Sequence, residues 1–308
     1  MKILVMGSGG LGGYFGARLA ASGCDVTFVA RGRHLEAMRA GGLRIESALA
    51  PLYLRPVQVT DRPETAGISD VVLLAVKLWD TEEAARAALP AIGPQTTVIS
   101  FQNGVDAAER LAAIVGAEHV VGGVCYIAAA IESPGVIRHT GSMQRLVIGE
   151  VDGGISPRVE AFAAACKTAG IDIQASAGVQ RAIWEKFVFL VGLSASTCVM
   201  RNEIGAIRAN PRSRALMLEI MREAVAVGRA RGVDLDPAFA EDRLAFADTL
   251  PAQMVASMYV DLQRGNRLEL PWLSGAVARL GGELHVPTPA NRFVTDALAL
   301  YVEGGAAS

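Results

Sequence analysis

The run Gly7-Ser8-Gly9-Gly10-Leu11-Gly12 places glycines at positions 7, 9 and 12, the G-x-G-x-x-G spacing with which backbone approaches a pyrophosphate. The first glycine turns the chain, the second lets the main chain come close to the anion, and the third lets a helix pack tightly on a strand. A phosphate held there faces free N–H groups and the positive end of a helix. A glycine-rich turn is also simply a turn, so context decides. The apolar run Ile3 to Met6 precedes it, a helix opens after it, and a second strand, Asp25 to Ala30, follows at βαβ distance. The alternative is a Rossmann-like core without nucleotide.

Where that second strand ends, an NAD site usually carries Asp or Glu for the ribose hydroxyls, about 20 residues past the glycines. This chain has Arg31 there, with Arg33 close by. A guanidinium fork matches phosphate and an acid would repel it, which argues for NADP(H); the alternative is a solvated loop arginine. Lys77 follows the run VVLLAV, and Asn103 follows Thr97 to Phe101. Ligands of open α/β sheets sit beyond the carboxyl ends of strands, so both residues could face cofactor and substrate. Asn103 hydrogen-bonds in both senses without bringing charge, although Asn-Gly is also a common turn pair.

Lys186 stands in AIWEKFVFLVGL, where apolar residues point in nearly every helical direction. A lysine drawn into that environment has its charged form disfavoured, which suits it to give a proton to a developing alkoxide. Alternatively, Arg181, Glu185 and Lys186 form a wet first turn. Glu269 is read as opening a helix whose stripe Leu273, Val277 and Leu280 faces a core; an acid there would also complement the helix dipole. Ser257 and Asp261 lie one turn apart on one helix face.

The elements that must position these groups fall into two halves. Strands are expected at 43–45, 52–59, 71–76, 97–101, 120–126 and 171–175, and helices at 34–40 and 157–169. Pro51 and Pro56 mark edges, while Pro134-Gly135 and Gly141-Ser142 punctuate antiparallel pieces ending near Gly149. From Val179 the strand signals vanish, and helices are expected at about 180–199, 211–231, 237–247, 252–264, 269–284 and 290–302. Asn210-Pro211 and Asp236-Pro237 look like N-caps followed by proline, and Gly232 like a stop. The expected fold is α/β: an N-terminal Rossmann-like doubly wound sheet at 1–178, binding NADP(H), then an all-helical C-terminal domain at 179–308 for substrate and dimerisation. Met217, Ile220 and Met221 fit either domain core or a dimer seam, so a homodimer stays open.

Composition agrees with a well-buried globular chain: 308 residues, 51% hydrophobic and 19% charged. A net charge of -2 offers no footprint for nucleic acid. The apolar start is cut short by Gly7, so no export is implied, and Phe187 to Met200 is shorter than a membrane span and reads as a buried core helix. Cys24, Cys125, Cys166 and Cys198 lie far apart, and the histidines are scattered. Reduced cytoplasmic thiols and no metal are expected.

Together these residues resemble the ketopantoate reductase family, NADPH-dependent 2-oxo acid reductases with a Rossmann domain and a helical C-terminal domain. The likeness covers nearly the whole chain: the glycine run, Arg31, Lys77, Asn103 in FQNG, the W-x-K of Trp184 to Lys186, the S-M-x-x-D of Ser257 to Asp261, and Glu269 in GNRLEL. It implies that Lys186 protonates the carbonyl oxygen while hydride leaves the nicotinamide. It also implies that Asn103 helps hold cofactor and substrate, that Ser257 reaches the substrate carboxylate, and that Glu269 contacts the cofactor side. The chain departs from the family where asparagines follow the lysine four, eight and eighteen residues on; Leu190, Ser194 and Ile204 stand there, and Met254 replaces another. A hydroxylated substrate would lose polar partners, so a more apolar 2-oxo acid is expected. The competing readings are an opine-type or 3-hydroxyacid dehydrogenase, which usually relies on histidine, and an NADPH-binding sensor.

Overall fold

The computed structural model describes residues 1–305. Strand β1 (Lys2–Met6) is uninterruptedly apolar from Ile3 because both its faces are covered: Ile3 and Val5 enter one core cluster, Leu4 and Met6 another. In chain order there follow α1 (Gly10–Ala21), β2 (Asp25–Val29), α2 (Gly32–Gly41), β3 (Leu43–Ser47), β4 (Leu52–Leu54), β5 (Gln58–Thr60) and β6 (Ser69–Leu74). Then come α3 (Thr81–Ala88), β7 (Ile92–Ser100), α4 (Ala107–Val115), β8 (Val120–Ser133), β9 (Val136–Glu150), α5 (Pro157–Thr168) and β10 (Asp172–Ala175). These strands form one ten-stranded sheet in the order β4-β3-β9-β8-β7-β6-β1-β2-β5, with β10 also on β9.

From β8 to β5 every pairing is parallel, and helices cover both faces. Phe15, Leu35 and Phe162 of α1, α2 and α5 pack in one cluster, Ala85 and Leu111 of α3 and α4 in the other. The fold is therefore the doubly wound one expected, with helices α3 and α4 added to the sequence reading. The stretch 52–59 is not a single run. Its halves go to opposite edges of the sheet, β4 antiparallel on β3 and β5 parallel on β2, with Pro56 between them.

Packing divides the chain into two units: residues 1–102 with 106–179, and Asn103–Val105 with the chain from Gln180 onward. A boundary drawn once along the chain at 178/179 does not represent Asn103–Val105. The second unit is built from α6 (Val179–Met200, of which Val179 itself packs with the first unit), α7 (Ile204–Ala209), α8 (Pro211–Ala230), α9 (Phe239–Thr249), α10 (Ser257–Gln263), α11 (Ser274–Glu283) and α12 (Pro289–Ala297). Met217, Ile220 and Met221 are fully buried within this unit, which makes them core. Helix α6 runs to 22 residues, so length alone does not separate it from a membrane span. Its burial does, since Trp184, Phe187, Val188 and Val191 all lie inside the core.

Asn210 caps α8 as expected, its side-chain Oδ1 accepting from Arg212 and Ser213 N–H. Asp236 instead caps a turn at Ala238, and α9 starts later than the sequence suggested. The helix expected from 252 begins only at Ser257. The carbonyls of Ala252 and Met254 accept from Gly205 and Ile204 N–H, so this segment serves the open end of α7. Glu269 is likewise not in the first turn of α11. It precedes a short 3₁₀ turn, Leu270–Trp272, which contains Pro271 and which a non-helical Leu273 (φ −108°, ψ −104°) separates from that helix.

Candidate functional site

The glycine turn has the geometry its spacing demands. Gly7 lies at φ +97°, where a side chain would strike the backbone of Ala75 and Val76. A Cβ on Gly12 would run into the Gly7 carbonyl oxygen and Val5, so the third glycine sets the close approach of α1 to β1. On Gly10 it would meet the Ala129 carbonyl of β8. Gly9 differs: nothing lies within 4 Å of a Cβ built there, so the main chain borders open space at the N-terminus of α1. That terminus has no side-chain cap and no acid in its first turn. A pyrophosphate therefore fits the cradle sterically and electrostatically.

Two of the residues grouped with the cofactor from sequence have other partners. Ser8 is buried, and both its N–H and its hydroxyl donate to the Val29 carbonyl at 3.1 and 2.8 Å. These bonds shape the turn. Leu11 packs on the core under α1. The Ser8 carbonyl accepts from His34 Nε2 at 2.9 Å, while His34 Nδ1 accepts from Gly135 N–H at 3.1 Å. Those partners leave the imidazole neutral with its proton on Nε2, and burial pushes its pKa down, with the Ser8 carbonyl pulling the other way. Sequence reading missed this buttress, because its partners lie 26 and 101 residues from His34.

The charged candidates of the first unit follow β2 and β6, the two parallel strands that flank β1. Arg31, at the N-cap of α2 beyond β2, is exposed, and its Nη2 donates to Glu83 Oε1 at 2.9 Å. Lys77, beyond β6, is exposed with Nζ 5.6 Å from the Trp79 ring centroid. Gln102, given no role from sequence, ties the end of β7 to this region: its amide donates to the Val76 carbonyl at 3.0 Å and to the Thr81 hydroxyl at 2.9 Å. Arg110 donates to both Glu82 oxygens and to the Leu78 carbonyl, which holds the Glu82 carboxyl below its ordinary range.

In the second unit, Lys186, Asn103 and Glu269 come together from positions far apart in sequence. Lys186 Nζ donates to Asn103 Oδ1 at 3.0 Å, and Asn103 Nδ2 donates to Glu269 Oε2 at 3.2 Å. An ammonium only donates and a carboxylate only accepts, so the amide between them has one permitted orientation. Lys186 is half-buried beside buried Trp184 and Phe187, and Glu269 is buried. Glu185 pairs with Arg181 one turn back, so the wet first turn exists, and Lys186 lies beyond it on the Asn103 side. Gly104 at φ +89° bends the chain after Asn103, which leaves the amide free to bond as described. Asn-Gly thus makes the turn while the Asn103 side chain bonds Lys186 and Glu269.

Ser257 is the exposed first residue of α10, and Asp261 accepts from the Asn266 side chain at 3.1 Å. Leu190 and Ser194 lie four and eight residues after Lys186 on the same face of α6; Ile204 is fully buried, and Met254 packs on the same core. Burial pushes the Cys198 thiol of α6 up to about 12, and the Cys166 thiol also up, so neither is a poised thiolate.

Two family models match this chain: ketopantoate reductase PanE/ApbA over residues 3–153, and ketopantoate reductase PanE/ApbA C terminal over residues 178–302. The 2-dehydropantoate 2-reductase of Mesorhizobium japonicum is 33% identical, covering 94% of this chain and 94% of that protein. The uncharacterized oxidoreductase YkpB of Bacillus subtilis is 31% identical over 98% of this chain and 99% of its own. The crystal structure of a PanE/ApbA family ketopantoate reductase from Ralstonia eutropha JMP134 superposes with a TM-score of 0.90 at 33% identity, covering 98% of each chain.

Proposed function

The chain belongs to the ketopantoate reductase family, and on that premise we propose that it reduces a 2-oxo acid, ketopantoate or a more apolar relative, to the 2-hydroxy acid with NADPH. The observation that carries the reading is the Lys186–Asn103–Glu269 chain of hydrogen bonds. When bound, the reduced nicotinamide supplies a hydride to the carbonyl carbon. Negative charge then grows on the carbonyl oxygen, and Lys186 is the group placed to stabilise it and give it a proton. Asn103, its amide locked by Glu269, fixes where the ammonium sits.

Gly7, Gly9, Gly10 and Gly12 would hold the pyrophosphate, with Leu11 packing the helix beneath it. Arg31 would receive the 2′-phosphate, and Lys77 would add a second cation beyond β6, on the other side of β1. Ser257 would bond the substrate carboxylate. Leu190, Ile204 and Met254 offer no hydrogen bonds to a substrate hydroxyl, and Ser194 Oγ is buried. Leaving such a hydroxyl unpaired costs about 1–3 kcal/mol, which supports an unhydroxylated substrate. The histidine-dependent alternative finds little support: both nitrogens of His34 and of His139 already have partners, those of His139 being Ser47 Oγ and the Met143 carbonyl.

The test follows NADPH absorbance across a panel of 2-oxo acids, with Lys186→Ala as control. Unsubstituted branched 2-oxo acids are expected to turn over at least as fast as ketopantoate. Much faster ketopantoate turnover would refute the apolar preference, and undiminished activity in the lysine variant would refute the proton donor. Tight NADPH binding with no turnover on any substrate would favour a sensor.

A further inference from the structure

We infer that Glu83 is a specificity residue: it competes with the 2′-phosphate of NADPH for Arg31 and so narrows the preference for NADPH over NADH. The inference rests on the reading of Arg31 as the phosphate-binding residue. Arg31 stands beyond β2 at the N-cap of α2, and its Nη2 donates to Glu83 Oε1 at 2.9 Å. Glu83 lies in the first turn of α3, where its neighbour Glu82 is committed to both donors of Arg110. Glu83 is thus the acid of that turn seen to engage Arg31.

The two side chains are each 68% exposed, so the pair can open at small cost. A monoester phosphate carries between one and two negative charges near neutral pH. Two outcomes are open to it. If Glu83 stays on the guanidinium, the phosphate arrives beside a carboxylate and is repelled. If Glu83 swings away, the incoming ligand must replace an existing charge-assisted hydrogen bond before it gains its own. Either way the benefit of Arg31 to NADPH is reduced, while NADH, which lacks the phosphate, is spared. The bland role for this pair, a surface bridge that stabilises the fold, is weak at such exposure.

The test uses the whole protein without substrate and measures binding, by titration calorimetry, of adenosine 2′,5′-bisphosphate against 5′-AMP, and of NADPH against NADH. Glu83→Gln and Glu83→Ala are both expected to raise affinity for the 2′-phosphorylated ligands about 3- to 5-fold at low salt, the scale of an exposed ion pair. Affinity for 5′-AMP and NADH should move less than about twofold, and the gain should shrink at high salt. Arg31→Ala should lower the 2′-phosphate preference about tenfold or more, and adding Glu83→Gln to it should recover little. If Arg31→Ala leaves the preference unchanged, the phosphate reading of Arg31 fails and takes the inference with it. If Arg31→Ala abolishes the preference but neither Glu83 variant alters it, only the role of Glu83 is overturned. An equal gain for both ligand classes also overturns it.

Discussion

The glycine turn and the Lys186 group differ in what makes contact. At the turn the groups that would meet an anion are backbone, drawn from the glycines of one short run, and their positions follow from one left-handed φ and from what a Cβ would strike. At Lys186 the groups are side chains from residues 103, 186 and 269, held by one amide whose two ends satisfy opposite charges. The first arrangement tolerates no added atoms, except at Gly9. The second tolerates changes of size better than the loss of a partner. Backbone sites are defended by sterics, side-chain sites by hydrogen-bond complementarity.

The largest expected effect separates chemistry from binding. Lys186→Ala should lower kcat about 10²- to 10⁴-fold while NADPH affinity, read by nucleotide fluorescence, stays near the parent value. A parallel loss of binding would merge the two regions and break the comparison. Next, Gly12→Ala and Gly9→Ala should part company. The Gly12 variant overpacks the contact of α1 with β1 at a cost of about 1–3 kcal/mol, or a Tm drop on the order of 2–4 °C for each of those kcal/mol. The Gly9 variant should keep its Tm, because its Cβ meets open space, yet lose roughly tenfold or more in cofactor affinity.

A smaller effect grades the side-chain site. Glu269→Gln keeps an oxygen for the Asn103 amide and should lower kcat only about threefold, whereas Glu269→Ala frees that amide and should cost about tenfold, the worth of one hydrogen bond. Equal losses would point to the charge of Glu269 and away from its bond to Asn103.

The smallest effect concerns acid stability. Arg158 donates to both oxygens of Glu150, and with Ser156 it holds that carboxyl below its ordinary range. A depressed folded pKa means the stabilisation is complete above the ordinary value, about 4.3, and is lost as pH falls through the lower folded value. Glu241, exposed on α9, is lowered by Arg222 in the same direction but nearer to solvent. Urea unfolding from pH 7 to pH 3 should therefore show Glu150→Gln flattening the acid limb more than Glu241→Gln does. The reverse order would assign acid sensitivity to the helical unit.

Much of the architecture could be read directly. Ile3 to Met6 followed by glycines and a helix has few other solutions, and Asn210-Pro211 announces α8 because capping chemistry is local. What escaped reading was long-range. The carbonyls of Ala252 and Met254 complete α7, His34 supports Ser8, and Gln102 ties β7 to the end of β6. None of these partners is within reach along the sequence. Arg31 is the intermediate case: its place after β2 was visible, but its pairing with Glu83 depends on α3, an element that escaped notice.

The residue order alone settled that a nucleotide-type turn opens the chain, that strands give way to helices after Val179, and that Lys186 sits among apolar neighbours. Those features are properties of short segments, set by φ preference, periodicity and the length of a turn. Folding alone decided which distant side chains meet. Asn103 packs with the helical unit although it follows a strand of the sheet, and Glu269 reaches it from ahead of α11 instead of from within it. A hydrogen bond needs its atoms about 3 Å apart, and across a separation of 166 positions only the packed structure can set that distance.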